Sequence, residues 1–172
     1  MDLAPAKHLA EKIVVQLTTF CDRIEIAGSI RRGRLTVNDI DIVCLPKSGV
    51  MLSALLERCG RSAKKLKAGD QYCVFELANG FQLDLWIAHP SGVTPDLFDP
   101  KEIPGNFGSL LFARTGSAMH NVYFAQVCQA KGLHFNPHVG VLQRGKVIAG
   151  ESETDLFRVT GLPWIPPERR ER

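Results

Sequence analysis

At 172 residues, with 45% hydrophobic and 23% charged side chains, the chain can bury one sizeable core or two small lobes sharing a junction. That composition excludes a disordered segment, and no apolar run reaches membrane-spanning length, so a soluble, non-membrane protein is expected. A net charge of +3 does not mark a nucleic-acid binder by bulk charge, and five cysteines without a C-x-x-C spacing argue against zinc and a disulfide framework and for a cytosolic setting.

Leu9, Ile13, Leu17 and Phe20 recur at helical spacing, and Pro5 suits a first turn, which predicts a helix from about Pro5 to Phe20. Arg23 to Ala27 alternates as a short strand ending at Gly28-Ser29, and Asp39 to Leu45 reads as a second strand stopped by Pro46. A helix is expected over Met51 to Cys59, ended by Gly60. Gln71–Leu77 and Phe81–Ile87 are β-rich runs joined by Ala78-Asn79-Gly80, a strong hairpin signal. The prolines and glycines between Ser91 and Gly108 read as a linker or ordered loop. Beyond it, Thr115-Gly-Ser117 leads into a helix from Ala118 to Lys131, with Met119, Val122, Ala125 and Val127/Cys128 as its apolar positions and His120 on its surface. Val139–Leu142 and Val147–Ile148 flank Arg144-Gly145 as a small hairpin, and Ser152-Glu-Thr-Asp155 resembles a capping box for a helix to Thr160. Trp86, Trp164, Phe107 and Phe112 read as packing aromatics.

Two features carry chemistry. Asp39 and Asp41 are two apart on a strand, so both carboxylates point to one face while Ile40 and Ile42 pack on the other. Such a pair repels itself unless a proton or cation intervenes, and hard oxygen ligands suit Mg²⁺. Asp84, with Gln82 and Trp86 on its face and Leu83 and Leu85 opposite, is an acid inside an apolar strand. It fits as a third carboxylate of the same site. Beside them, Gly28-Ser29 with Arg31, Arg32 and Arg34 forms a plausible triphosphate cradle. Two further basic clusters, Arg58/Arg61/Lys64/Lys65/Lys67 and Arg169/Arg170/Arg172, could line a phosphate backbone or could simply be solvated.

The order Gly28-Ser-Ile-Arg-Arg-Gly, Asp39-Ile-Asp-Ile-Val, Leu83-Asp-Leu, Thr115-Gly-Ser-Ala-Met-His-Asn and Gly161-Leu-Pro-Trp-Ile-Pro-Pro resembles the X-family DNA polymerases, the DNA polymerase β-like nucleotidyltransferases, over nearly the whole chain. The resemblance implies an α+β fold: a palm with a mixed sheet and helices over 1–95, a linker over 96–104, and a small thumb-like α/β lobe over 105–172. It leaves no room for a lyase domain or helix-hairpin-helix segments, so a minimal two-lobe member is expected. By resemblance Asp39, Asp41 and Asp84 are catalytic and hold two Mg²⁺ ions, with Mn²⁺ as a substitute, and Asp84 accepts the 3′-hydroxyl proton. Gly28, Ser29, Arg32 and Asn38 would bind the triphosphate, and Thr115, Gly116 and Asn121 the rest of the nucleotide. Lys64, Lys65, Lys67, Arg114 and Arg169 are expected to contact DNA. Ala113 and Arg114 stand where many relatives carry an aromatic pair, Gln82 where relatives often place an arginine, and Ala125 where a template-contacting arginine is common. The implied function is a monomeric, metal-dependent, gap-filling repair polymerase. Its substrates would be a nucleoside triphosphate and primer-template or gapped DNA, with an accessory repair protein as a further partner. Its place would be the cytoplasm, at the nucleoid or in a host's cytoplasm. The alternative is template-independent nucleotidyl transfer to a nucleic-acid end, a small molecule or a protein.

Overall fold

A computed structural model describes residues 1–48, 63–93 and 102–171, and the fold is built on a mixed five-stranded sheet. Helix α1 (Leu3–Leu17), continued by a 3₁₀ turn (Thr18–Phe20), leads into β1 (Cys21–Ile26). The four-residue helix α2 (Gly28–Arg31) then turns the chain into β2 (Asp39–Pro46). β3 (Ala63–Ala68), β4 (Tyr72–Leu77) and β5 (Gln82–Ile87) complete the sheet in the order β1-β2-β5-β4-β3. Only β2 and β5 run parallel; the other pairings are antiparallel.

The strand alternation does what the sequence dictates. Ile40, Ile42, Cys44, Cys73, Phe75, Leu83 and Leu85 are buried together on one face, where Ala6, Ala10 and Leu17 of α1 cover them. Fully burying a large aliphatic side chain is worth about 1.5–3 kcal/mol, so this face fixes the register and leaves Asp39, Asp41, Asp84 and Trp86 on the other. Between β4 and β5 the expected hairpin is present: Gly80 takes a φ of +76° and Asn79 Oδ1 accepts from the Phe81 N–H. Cys21, Cys44, Cys73 and Cys128 are buried and outside any disulfide.

Past β5, a two-stranded ribbon pairs β6 (Gly92–Val93) with β7 (Glu102–Ile103). Helix α3 (Phe107–Thr115) follows, then α4 (Ala118–Ala130). A three-stranded antiparallel sheet of β8 (His134–Asn136), β9 (Gly140–Gln143) and β10 (Lys146–Ala149) precedes α5 (Glu153–Thr160). Phe112, Phe124, Cys128, Val141, Leu156 and Phe157 form the core of this second lobe. α3 is shared between the lobes: Phe107, Leu110 and Leu111 pack against Val43 and Ala27 of the palm, while Phe112 enters the second core. Ser152 caps α5 by accepting from the Asp155 N–H, and Gly161 closes the helix in the left-handed region. Among the described residues no helix is long and apolar enough to cross a membrane.

Several expectations need correction. α3 falls partly inside the stretch read as a linker and was not expected as a helix. β3 and β8 were not expected as strands. The buried face of α4 is His120, Phe124 and Cys128, whereas Met119 and Val122 are exposed. His120 is fully buried between Phe112 and Phe157, not on the helix surface. The helix expected over Met51 to Cys59 lies outside the described residues.

Candidate active site

The parallel register of β2 and β5 sets Asp41 directly beside Asp84 and Asp39 beside Gln82. The two central carboxylates are held by neutral donors. Trp86 Nε1 donates to Asp41 Oδ1 at 3.2 Å. Tyr72 Oη donates to Asp84 Oδ2 at 2.9 Å, and Gln82 Nε2 donates to Asp84 Oδ1 at 2.6 Å. Tyr72 and Trp86 stack at 3.9 Å, and the Arg114 guanidinium lies 3.4 Å over the other face of the indole.

The electrostatics follow from this crowding. Burial, then the charge of Asp39, pushes the Asp41 carboxyl up to about 7, with Trp86 and Arg114 acting in the opposite direction. Asp39 is also raised, by burial and by Asp84. Tyr72 is pushed up to about 12 by burial and by its bond to Asp84. Burial lowers Arg114. Three carboxylates crowded on one sheet face are the donor set a hard divalent cation relieves. Asp39, Asp41 and Asp84 fit such an ion by chemistry. As the side chains stand, no three His, Cys, Asp or Glu among the described residues converge on a metal-sized point.

Beside the carboxylates opens a cleft of about 310 Å³ lined by Gly28, Ser29, Arg32, Arg34, Thr36, Asn38, Asp39, Asp41, Arg114 and Glu171. Gly28 is required there: its φ is +61° and a Cβ would stand 2.2 Å from Asp41 Oδ2. Ser29 Oγ is buried without a hydrogen-bond partner, a donor and acceptor available to a ligand. Arg32 donates through Nε to Glu171 Oε1 at 2.6 Å and through Nη1 to the Thr115 carbonyl.

The cleft thus gathers Gly28, Ser29, Arg32, Asn38, Asp39, Asp41 and Arg114 from the expected site residues, with Asp84 one strand away. Thr115 and Gly116 meet it through Arg32, which spans from α2 to the end of α3. Asn121 Nδ2 donates to the Ala113 carbonyl at 2.7 Å, while its Oδ1 is buried and unpartnered. Lys64, Lys65 and Lys67 lie exposed on β3, an edge of the sheet, and Arg169 is exposed in a 3₁₀ turn (Pro167–Arg169). Arg31 does not face the cleft. It forms a two-point pair with Glu153 at 2.9 and 2.6 Å and donates to Thr115 Oγ1 at 2.7 Å. Sequence reasoning missed Glu153, Tyr72 and Glu171. Only the capping motif drew attention to Glu153, and no local pattern marks the other two.

Residues 110–171 match the DNA polymerase beta thumb family. The chain aligns over 96% of its length, at 26% identity, with the DNA polymerase/3'-5' exonuclease PolX of Bacillus subtilis, and spans 28% of that protein. The chain also superposes over its full length on polymerase beta of Leishmania infantum in its primer-template (P/T) and gap ternary complexes. The TM-scores are 0.75 and 0.76 at 17% and 16% identity, covering 77% and 71% of those chains. At that identity the likeness establishes the fold, an α+β palm with a thumb-like lobe, as expected from the sequence.

Proposed function

We propose that this chain transfers a nucleotide from a nucleoside triphosphate to a DNA 3′-hydroxyl, filling short gaps. The carrying observation is the juxtaposition of Asp39, Asp41 and Asp84 with a cleft that presents an unpartnered Ser29 Oγ and three arginines, Arg32, Arg34 and Arg114. Similarity to PolX and to polymerase beta, whose solved complexes hold primer-template and gapped DNA, supports the reading.

In this reading Asp39 and Asp41 would hold divalent cations, with Asp84 as the primer-side carboxylate. Mg²⁺ or Mn²⁺ bound there would supply charge neutralisation at the reacting phosphate and lower the pKa of the attacking hydroxyl. The chain's own residues do the rest. Ser29, Asn38 and Arg32 orient the triphosphate, and the planar fork of Arg32 suits paired phosphate oxygens. Asp84, flanked by Tyr72 and Gln82, is the carboxylate placed to take the 3′-hydroxyl proton. Arg114 lies over Trp86 on the cleft wall, where its positive charge acts on Asp41. Positioning and charge carry most of such a reaction, which needs no covalent intermediate.

The test is single-nucleotide insertion on one-nucleotide-gapped DNA with Mg²⁺ or Mn²⁺, using each deoxy- and ribonucleotide separately and a single-stranded primer as a further arm. Insertion of the complementary nucleotide alone, lost by at least about a thousandfold in Asp41→Ala, is expected. Addition to the single-stranded primer irrespective of a template would overturn the templated reading in favour of terminal transfer.

A further inference from the structure

Two arginines on the rim of the cleft grip a carboxylate from another part of the chain. Glu171 accepts from Arg32 Nε at 2.6 Å and from Arg34 Nη1 at 3.3 Å. Arg32 is anchored on its other edge by the Thr115 carbonyl, so the edge facing Glu171 is the one it can offer a ligand. The Ser29 hydroxyl, buried and unpartnered, lines the same cleft. A carboxylate held between two guanidinium groups reproduces the contacts that adjacent phosphate oxygens would make.

The surrounding ion pairs indicate which contact can exchange. Arg31–Glu153 and Arg170–Glu153 are buried, with Glu153 at 5% exposure and Arg170 at 0%. Arg170 is pinned further, its carbonyl accepting from Ser117 Oγ at 2.8 Å and its Nε donating to the Ile165 carbonyl. Glu171 is the open partner of its pairs, at 36% exposure, with Arg34 at 55% and Arg32 at 15%, and a pair with a solvent-exposed carboxylate contributes less than the Glu153 pairs, whose carboxylate is 5% exposed. The backbone is therefore held up to residue 170 and releasable at residue 171.

We propose that Glu171 is an internal competitor for the triphosphate. Its carboxylate holds Arg32 and Arg34 in the empty cleft, and phosphate oxygens displace it, with Arg34 becoming an additional phosphate contact. The proposal rests on the reading of this cleft as a triphosphate site.

Calorimetric titration of sodium tripolyphosphate into the metal-free protein at low salt tests both levels. Glu171→Gln is expected to bind roughly two- to fivefold tighter than wild type. Glu168→Gln, which removes the same charge from a side chain beside Gly33, is expected to change affinity much less. Arg34→Gln weakens binding. In ¹⁵N relaxation spectra, saturating tripolyphosphate lowers the heteronuclear NOE of the Glu171 amide and leaves that of Arg170 unchanged. Equal tightening in both glutamate variants would reveal a general field effect and overturn the competitor role. So would an unchanged affinity in Glu171→Gln, or a Glu171 amide equally ordered with and without tripolyphosphate. Arg32→Gln separates the levels: if it binds as wild type does, the triphosphate reading of the cleft falls together with the competitor role. If it loses binding while Glu171→Gln matches wild type, only the competitor role falls.

Discussion

A methyl group at position 28 would meet Asp41 Oδ2 at 2.2 Å, and the residue's φ of +61° lies where a side chain is strained. Gly28→Ala is therefore expected to cost about 1–2 kcal/mol of stability and much more in activity, because the relief comes by moving Asp41. A melting curve lowered by a few degrees, with gap-filling reduced more than tenfold, would meet this expectation; an active variant would sink it. Trp86 acts on the same carboxylate from the other side. Trp86→Phe keeps an aromatic ring between Tyr72 and Arg114 but deletes the N–H that Asp41 accepts. A hydrogen bond to a charged group contributes about 1.5–3 kcal/mol, so roughly a tenfold weaker hold on the divalent ion is expected. Electron paramagnetic resonance titration with Mn²⁺ reads this without turnover, and a curve superimposing on wild type would remove Trp86 from the site's architecture. The paired aspartates were legible from the sequence because period-2 alternation forces both to one face. Their donors Trp86 and Tyr72 were not, because they come from β5 and β4 across the sheet and only the register β2-β5-β4 joins them.

At the level of elements, the lobes are tied through Glu153 at the start of α5, which takes Arg31 from α2 and the buried Arg170. Burial alone pushes the Glu153 carboxyl up, but the hydrogen bonds and charges of the two arginines hold it below the usual range. Its stabilisation is thus complete above the unfolded value of about 4.5 and is lost as pH falls through the depressed folded value. Glu153→Gln leaves the buried Arg170 cation without its counter-charge, a loss of about 3–5 kcal/mol. Urea unfolding at pH 7 should show that gap, and it should narrow as pH falls below the unfolded glutamate value; a constant gap would deny the ionised carboxylate this role. The elements missed in the sequence share physical causes. α3 is buried on nearly every side, from Phe107 to Phe112 and again at Thr115, so it has no polar face to create a helical period. β3 reads as a basic cluster because an edge strand tolerates lysines that a central strand would not. In α4 the apolar residues Met119 and Val122 face out and His120 faces in, which reverses the face that hydrophobicity selects.

For the molecule as a whole, the alternating strands, the Asn-Gly hairpin and the capping box marked individual elements and the fold class came from the family resemblance of the motif order, whereas the placement of charge became readable only with the sheet order. Bulk charge is +3, so any grip on DNA must come from where the cations stand. β3 is next to β4, and the Lys67 ammonium lies 5.2 Å over the ring of Tyr72, whose hydroxyl reaches Asp84. Lys67 is therefore on the carboxylate side of the sheet, two strands from Asp84, the proposed primer-side carboxylate. Lys64, by contrast, sits 3.9 Å from Glu76 Oε2, and a cation already paired with a carboxylate has less to gain from a phosphate. The two lysines should then separate in a salt titration. Each phosphate neutralised adds about 0.9 to the slope of log affinity against log salt on duplex DNA. Lys67→Ala should lower that slope by about one and weaken binding to gapped DNA uniformly across sequences, while Lys64→Ala should leave it nearly unchanged. Fluorescence anisotropy at four or five salt concentrations measures the difference. Equal slopes for Lys67→Ala and wild type would move the DNA path off this edge and onto the second lobe, where Arg169 is the exposed cation next to consider.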